Sequence, residues 1–385
     1  MAEPKPGGKL REFRIGLVIG TRPEAIKLAP VAAALGRSGA LPLLYLTGQH
    51  PGLNPADHAL ETLPATAFGC AGRSDPFEHV EEVCAALERH WRRDTPDLVI
   101  VQGDTSSALG GARAASLCRV PLAHVEAGLR SFDPASPWPE EDFRTEIDAL
   151  ADLLFAPTDG AAANLVRERC PGALHVTGNS GIDALLTQVE QMPRARRKAR
   201  GRRPRHVLVT CHRRENWGAG LANVAAALVE LADRGDVTID VVLHPNPQVA
   251  GAMFSLLGNQ PAIHLSTPLG HAAMIDQMRR ADLILSDSGG IQEEAAALGV
   301  PLLVLRASTE RPECIESGNA VMVGTDRERI VATVSDLIAD PARLGAMTVP
   351  RFPFGDGHAA PRIAALTLAW LNQRLVADSQ VPLSV

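Results

Sequence analysis

Short runs of aliphatic residues alternate along the chain with longer alanine- and leucine-rich stretches, and polar or glycine-rich breaks separate the two. Runs of four to six apolar residues bounded by turn residues are the pattern of strands buried on both faces, as in parallel sheets flanked by helices. The runs predict strands over Arg14–Ile19, Leu41–Leu46, Leu98–Gln102, Leu122–Val125, Leu153–Ala156 and Leu174–Val176 in a first half. A second set follows over His206–Thr210, Ile239–Leu243, Leu283–Ser286, Leu302–Leu305 and Val321–Val323. The alternation of strand and helix predicts an α/β protein of two doubly wound parallel-sheet domains joined near residues 183–205. The first is expected over residues 1–184, rejoined by a C-terminal helix over 368–385, and the second over residues 185–367. The stretch His358–Leu375 reads as a helix with alanine, isoleucine and leucine on one face, able to pack back across the domain boundary.

A length of 385 residues agrees with two cores, because single cores rarely grow past roughly 250 to 300 residues. No apolar run approaches the roughly 18 residues of a membrane span, and the opening MAEPKPGGKLREF has no apolar core of a secretory signal. The six cysteines are scattered without a CxxC pair, so no zinc site or disulfide framework is expected, and a reducing cytoplasm fits. A net charge of −6 gives no reason to expect a nucleic-acid partner. The stretch Arg194–Arg205, with eight basic residues in twelve, reads as a solvated linker or a polyanion contact.

In open parallel sheets ligands collect outside the carboxyl ends of the strands, so the polar residues that follow each strand are the candidates. After the first strand comes GTRPEAIK, Gly20–Lys27, where a helix start with unpaired N–H groups beside Arg22 could receive an anion. It lacks GxGxxG, which argues against a nicotinamide cofactor. Only four of the 38 basic residues are lysines, so Lys27 points mildly to a lysine-specific role, with a surface ion pair as the alternative. Asp104 opens GDTSS after the third strand and could be a helix cap or a catalyst. Glu126 follows the next strand, and Glu140 and Glu141 head a helix after Pro139, where the helix dipole alone would explain one of them. In the second half TCHRREN places His212, Arg213 and Arg214 directly after a strand, an anion-binding cluster. SDSGGIQEEA follows another strand; Ser288, Gly289 and Gly290 open a helix able to hold a phosphate, and Glu294, a turn or two on, could accept the hydroxyls of a ribose.

Taken together and in order, GTRPEAIK, GDTSS, HVEAGLRS, SPWPEE, TCHRREN, SDSGGIQEEA, RASTERPE and FGDG resemble the bacterial non-hydrolysing UDP-N-acetylglucosamine 2-epimerases over about residues 13–372. The resemblance implies the GT-B fold, two Rossmann-like domains with a cleft and a last helix crossing back to the first. It implies catalytic acids at Asp104, Glu126 and Glu140, with Arg144 nearby and Lys27 near the sugar. Phosphate contacts match Arg22, His212 and the Ser288–Gly289–Gly290 turn, with Arg213 beside them, and the ribose carboxylate matches Glu294. His212 is grouped with the catalytic residues. The implied ligands are UDP-GlcNAc and UDP-ManNAc, in a cytoplasmic homodimer without metal, redox cofactor, nucleic acid or membrane. Two departures stand out: Phe143 replaces the usual Asn before Arg144, and PGLNPADHAL replaces the segment with which regulated members bind an activating second substrate.

The implied reaction suits these residue types. The hydrogen on carbon 2 is not α to a carbonyl, and it becomes acidic only as the bond from carbon 1 to UDP loosens. Carboxylates near both faces of the sugar and a cationic clamp on the leaving pyrophosphate are therefore required. A hydrolysing relative releasing the free sugar, an epimerase for a modified UDP-2-acetamido sugar, a GT-B glycosyltransferase and a non-catalytic UDP-sugar-binding protein are the alternatives.

Overall fold

The computed structural model describes residues 12–135, 137–193, 204–211, 213–244 and 246–379. They form two compact units. One comprises the residues up to Gly128, Pro139–Ser180 and the residues from Gly357; the other comprises Leu129–Trp138 and Gly181–Asp356.

The first unit runs β1 (Arg14–Ile19), α1 (Arg22–Arg37), β2 (Leu41–Leu46), β3 (Ala65–Ala67), α2 (Pro76–Trp91), β4 (Leu98–Gln102), α3 (Ser106–Cys118), β5 (Leu122–Val125), α4 (Glu140–Leu150), β6 (Leu153–Ala156), α5 (Asp159–Glu168) and β7 (Ala173–Val176). Its seven strands are ordered β3-β2-β1-β4-β5-β6-β7, and every pairing is parallel. The middle strands are apolar on both faces because helices cover both, and Ile15, Leu17, Ile19, Leu98 and Ile100 are fully buried.

Helix α6 (Ser180–Gln191) leads into β8 (Arg205–Thr210), α7 (Ala219–Asp233), β9 (Val237–Val242), α8 (Pro247–Leu257), β10 (Ile263–Ser266), α9 (His271–Arg280), β11 (Leu283–Ser286), α10 (Gly289–Leu298), β12 (Leu302–Val304), α11 (Glu313–Glu316), β13 (Ala320–Met322), α12 (Arg327–Ala339) and α13 (Pro341–Ala346). The second sheet, again parallel, is ordered β10-β9-β8-β11-β12-β13. The last helix, α14 (Ala359–Ser379), returns to the first unit, where Ala360, Ile363, Ala364 and Leu371 join the cluster of Leu28, Val31 and Leu35 from α1.

Six of the expected strands coincide at both ends with those observed, and the other five differ by one or two residues. Two strands were not expected, β3 and β10, and both are sheet edges. An edge strand is stabilised by one neighbour and one half-covered face, so it needs no continuous apolar run: β3 is Ala-Thr-Ala and β10 is Ile-His-Leu-Ser. The basic stretch falls largely outside the described residues.

Both sheets reverse strand order once, between β1 and β4 in the first and between β8 and β11 in the second. Such a reversal splays the loops that leave the two strands and opens a crevice at their carboxyl ends. GTRPEAIK and GDTSS leave β1 and β4; TCHRREN and SDSGG leave β8 and β11.

Candidate active site

In the first unit the turn after β1 approaches its neighbours too closely for any side chain. A Cβ on Gly20 would sit 2.0 Å from Ser107 Oγ and 2.6 Å from Thr47 Oγ1. Thr21 heads α1 and Glu24 follows three positions later, the spacing of a capping box. The Gly20 and Thr21 amides donate to Glu24 Oε2 at 2.9 and 2.6 Å. On its other oxygen Glu24 accepts from Thr105 Oγ1 at 2.6 Å, which links the turn after β1 to the turn after β4. Burial pushes the Glu24 carboxyl upward, against the downward pull of the Thr105, Gly20 and Thr21 donors. Arg22 is exposed at the first position of α1.

Asp104 does not cap α3. Thr105 does, accepting from Ala108 N at 3.0 Å, and Asp104 instead pairs with Arg144, whose side chain is only 4% exposed. One turn of α4 before Arg144 stands Glu140, while Glu141 lies 3.3 Å from the Arg144 guanidinium. Phe143, in place of the usual Asn, is buried and meets Phe77 edge-on with ring centroids 5.2 Å apart, so it packs against α2. Glu126 adopts φ 74°, a left-handed conformation that a non-glycine residue holds only where surrounding structure enforces it. Its Oε2 accepts from Lys27 Nζ at 2.6 Å and from Gln102 Nε2. Both side chains of the Lys27–Glu126 pair are nearly enclosed, which rules out the alternative of a surface ion pair. A Cβ on Gly103 would lie 4.0 Å from Glu126 Oε2, so the backbone carrying Asp104 borders Glu126 directly.

In the second unit Ser288 stands in extended conformation ahead of α10 and makes no capping bond with its side chain, so the hydroxyl leaves the first-turn amides to another partner. Gly289 is required by a side chain from elsewhere: a Cβ there would lie 2.7 Å from Arg311 Nη1 and 2.8 Å from its Cζ. Around Gly290 a Cβ would meet nothing within 4 Å. Arg311 is held by Glu293 at 2.6 Å and Glu310 at 2.5 Å, and Glu310 in turn accepts from Arg306 at 2.7 Å and faces Arg213 at 3.5 Å. The Arg213 amide donates to Asp287 Oδ2 at 2.8 Å, and Asn216 Nδ2 donates to the same oxygen at 2.9 Å. Glu294 Oε1 lies within hydrogen-bond distance of His271 Nε2, at 2.8 Å. His212 lies outside the described residues.

The structure thus draws Lys27, Asp104, Glu126 and Arg144 into one set of contacts, with Glu140 on the same helix as Arg144. Ser288, Gly289 and Gly290 gather on the turn before α10, beside a network of buried charges. That network, Arg306, Glu310 and Arg311 with Glu293, went unassigned in the sequence although RASTERPE carries most of it. Gln102, His124, Asp148 and His271 went unassigned too, because neither a strand residue nor one helix residue among several advertises a partner far along the chain. Glu24 had a local signal in the Thr21–Glu24 spacing.

Two Rossmann-like units, each with its polar motifs at the reversal of a parallel sheet, make this a protein of the GT-B fold. The family model described as UDP-N-acetylglucosamine 2-epimerase matches residues 40–368. The UDP-N-acetylglucosamine 2-epimerase of Escherichia coli K12 is 38% identical over 367 residues, covering 91% of this chain and 97% of that protein. A crystal structure of UDP-GlcNAc 2-epimerase from Neisseria meningitidis bound to UDP-GlcNAc superposes with a TM-score of 0.86 at 33% identity, covering 92% of this chain and 100% of that one. The Methanocaldococcus jannaschii UDP-GlcNAc 2-epimerase in complex with UDP-GlcNAc and UDP gives 0.81 at 32% identity, with 92% and 99% covered. The chain belongs to the UDP-N-acetylglucosamine 2-epimerase family. Acinetobacter baumannii MurG, 16% identical with a TM-score of 0.57 over 93% of this chain and 99% of that one, shares the fold alone.

Proposed function

We propose that this chain interconverts UDP-GlcNAc and UDP-ManNAc without hydrolysis, by eliminating UDP to a 2-acetamidoglucal and adding it back. The observation that carries this reading is the pairing of each of two carboxylates with a cation, Asp104 with Arg144 and Glu126 with Lys27, on the turns that follow the neighbouring strands β4 and β5. Carboxylates beside the sugar can accept and return the carbon 2 proton, and the cations beside them can stabilise the charge that builds on oxygen as the leaving group departs. Supporting it are the family membership and the UDP-GlcNAc bound in the two solved relatives.

In this scheme Asp104, Glu126 and Glu140 remove and return the carbon 2 proton on opposite faces of the sugar and stabilise the oxocarbenium character between. Arg22, Arg213, His212, the Ser288 hydroxyl and the amides of Gly289 and Gly290 hold the pyrophosphate, and Glu294 holds the ribose. His271 occupies one oxygen of Glu294, so the other is left to a ribose hydroxyl or His271 swings aside. Hydrogen leaves and returns as a proton, so the scheme calls for neither a nicotinamide nor a metal. The enzyme is proposed to work in the cytoplasm as a homodimer; the six free thiols, four of them buried, suit a reducing compartment, and light scattering checks the assembly.

The test uses two labels on one reaction. In deuterium oxide each product molecule should carry deuterium at carbon 2, and oxygen-18 in the bridge to the β-phosphate should scramble into non-bridging positions. Product that keeps its original hydrogen and an unscrambled bridge refutes the elimination route. Accumulation of free N-acetylmannosamine would assign the hydrolysing reaction instead.

A further inference from the structure

Asp148 and His124 are wholly enclosed in the first unit, and none of the roles assigned above uses them. Their side chains have no exposed surface. His124 Nδ1 lies 2.6 Å from Asp148 Oδ1, and His124 Nε2 lies 2.9 Å from the carbonyl oxygen of Gly103. The second carboxylate oxygen, Oδ2, accepts from the Gly128 amide at 3.1 Å.

A neutral imidazole has one N–H and one bare nitrogen. Gly103 offers only a carbonyl acceptor, and Asp148, already accepting from the Gly128 amide, offers a carboxylate acceptor. Both contacts are hydrogen bonds together in two proton arrangements, an imidazolium beside a carboxylate or a neutral ring whose Nδ1 accepts from a protonated Asp148, and a ring spectrum tells them apart. The other wholly buried histidine of this unit shows the contrast. His79 faces the Cys70 carbonyl with one nitrogen and the Ser106 hydroxyl with the other, and a hydroxyl can donate, so a neutral ring satisfies both.

The contacts of the pair reach all three segments that carry the expected acids. Gly103 precedes Asp104. His124 and Gly128 bracket the strained Glu126, at φ 74°. Asp148 lies on α4 one turn after Arg144 and two turns after Glu140. We propose that Asp148 and His124 form a buried carboxylate–imidazolium strut that fixes the spacing of Asp104, Glu126 and Glu140, and so act as positioning residues for turnover. A charged pair is suited to this because its length is set by two short bonds and its partners cannot be exchanged for water. The proposal rests on the epimerase reading for its effect on turnover, whereas the protonation of the ring stands apart from it.

The experiment therefore has two arms. Nitrogen-15 NMR of the histidine rings in the unmodified full-length protein, with His124 assigned through His124→Gln, should show both His124 nitrogens protonated. A spectrum with one bare nitrogen overturns the strut. In the second arm Asp148→Asn keeps the volume but withdraws the counter-charge. Its kcat for UDP-GlcNAc should fall on the order of tenfold to a hundredfold, the size found when partners that orient active groups are removed, while KM and the UDP dissociation constant stay within about twofold. A folded Asp148→Asn protein with parental kcat overturns the positioning role, as does a loss that falls equally on UDP affinity. If the variant does not fold, the nitrogen spectrum of the parent decides. Failure of the parent itself to act on UDP-GlcNAc would remove the epimerase reading, and it would be recognised as such because the ring spectrum is recorded without substrate.

Discussion

Gly289 and Gly290 stand side by side at the start of α10, yet replacing them by alanine should have opposite effects on stability. At Gly289 the added methyl would lie 2.7 Å from Arg311 Nη1 and 2.8 Å from Cζ, well inside contact distance. The far end of a long side chain can usually step aside, but this guanidinium is buried and fastened to Glu293 at 2.6 Å and Glu310 at 2.5 Å. Moving it stretches one or both of those bonds. Overpacking of this kind costs about 1–3 kcal/mol, and a weakened hydrogen bond to a charged group contributes about 1.5–3 kcal/mol when lost outright. A total of about 2–4 kcal/mol corresponds to a fall of roughly 5–15 °C in the melting temperature of a unit this size. At Gly290 the methyl meets open space, and removing a glycine from a helix stabilises it by about 0.4–1 kcal/mol, so melting should hold or rise by roughly 2 °C. The open space beside Gly290 is also where the proposed phosphate would seat, so Gly290→Ala should raise the UDP dissociation constant about tenfold or more despite its stability. Thermal melts by circular dichroism and titration calorimetry with UDP read the two quantities separately. A Gly289→Ala protein melting within 2 °C of the parent, or a Gly290→Ala protein as unstable as Gly289→Ala, would refute the account of Arg311 as a fixed wall.

Three further expectations follow from the same geometry. Asp104→Asn, Glu126→Gln and Glu140→Gln should each lower turnover about a hundredfold or more with UDP affinity little changed, measured by coupled assay and calorimetry; near-parental turnover in all three would return these acids to structural roles. Glu294→Ala should act the other way and chiefly weaken UDP binding, seen as a rise in the dissociation constant with kcat at saturation largely kept. Because Pro55–His58 forms only a single 3-10 turn within PGLNPADHAL, the reverse reaction should start from UDP-ManNAc alone with hyperbolic kinetics. A lag abolished by traces of UDP-GlcNAc would show that an activating second site persists.

How much of this was legible in the sequence differs from residue to residue. Strands β1, β4, β5 and β11 declare themselves because a central parallel strand is covered on both faces and must be apolar throughout. The motif at each strand end is equally local: a glycine where the chain turns, a Ser or Thr where a helix begins, a carboxylate in the first turn. Those features pointed to the carboxyl ends of the strands, and to Asp104, Glu126, Ser288 and Gly289, before any contact was known. The edge strands β3 and β10 carry no such signature, since half of each is open.

What only the tertiary structure decided is partnership. Strand order, set by the crossovers, brings the turn after β1 beside the turn after β4, and the one after β8 beside the one after β11. With β5 beside β4, it joins Lys27 to Glu126, 99 residues away, and Asp104 to Arg144, 40 residues away. The Asp104 reading changed for that reason. Locally an acid at a helix start is a cap, but Thr105 takes the cap and Arg144 takes the acid. Gly289 likewise reads locally as a phosphate turn, and only the fold reveals Arg311 against it. Local propensity is a property of neighbouring residues and survives in the sequence, whereas an ion pair depends on register and sheet order, which are settled only when the whole sheet has assembled.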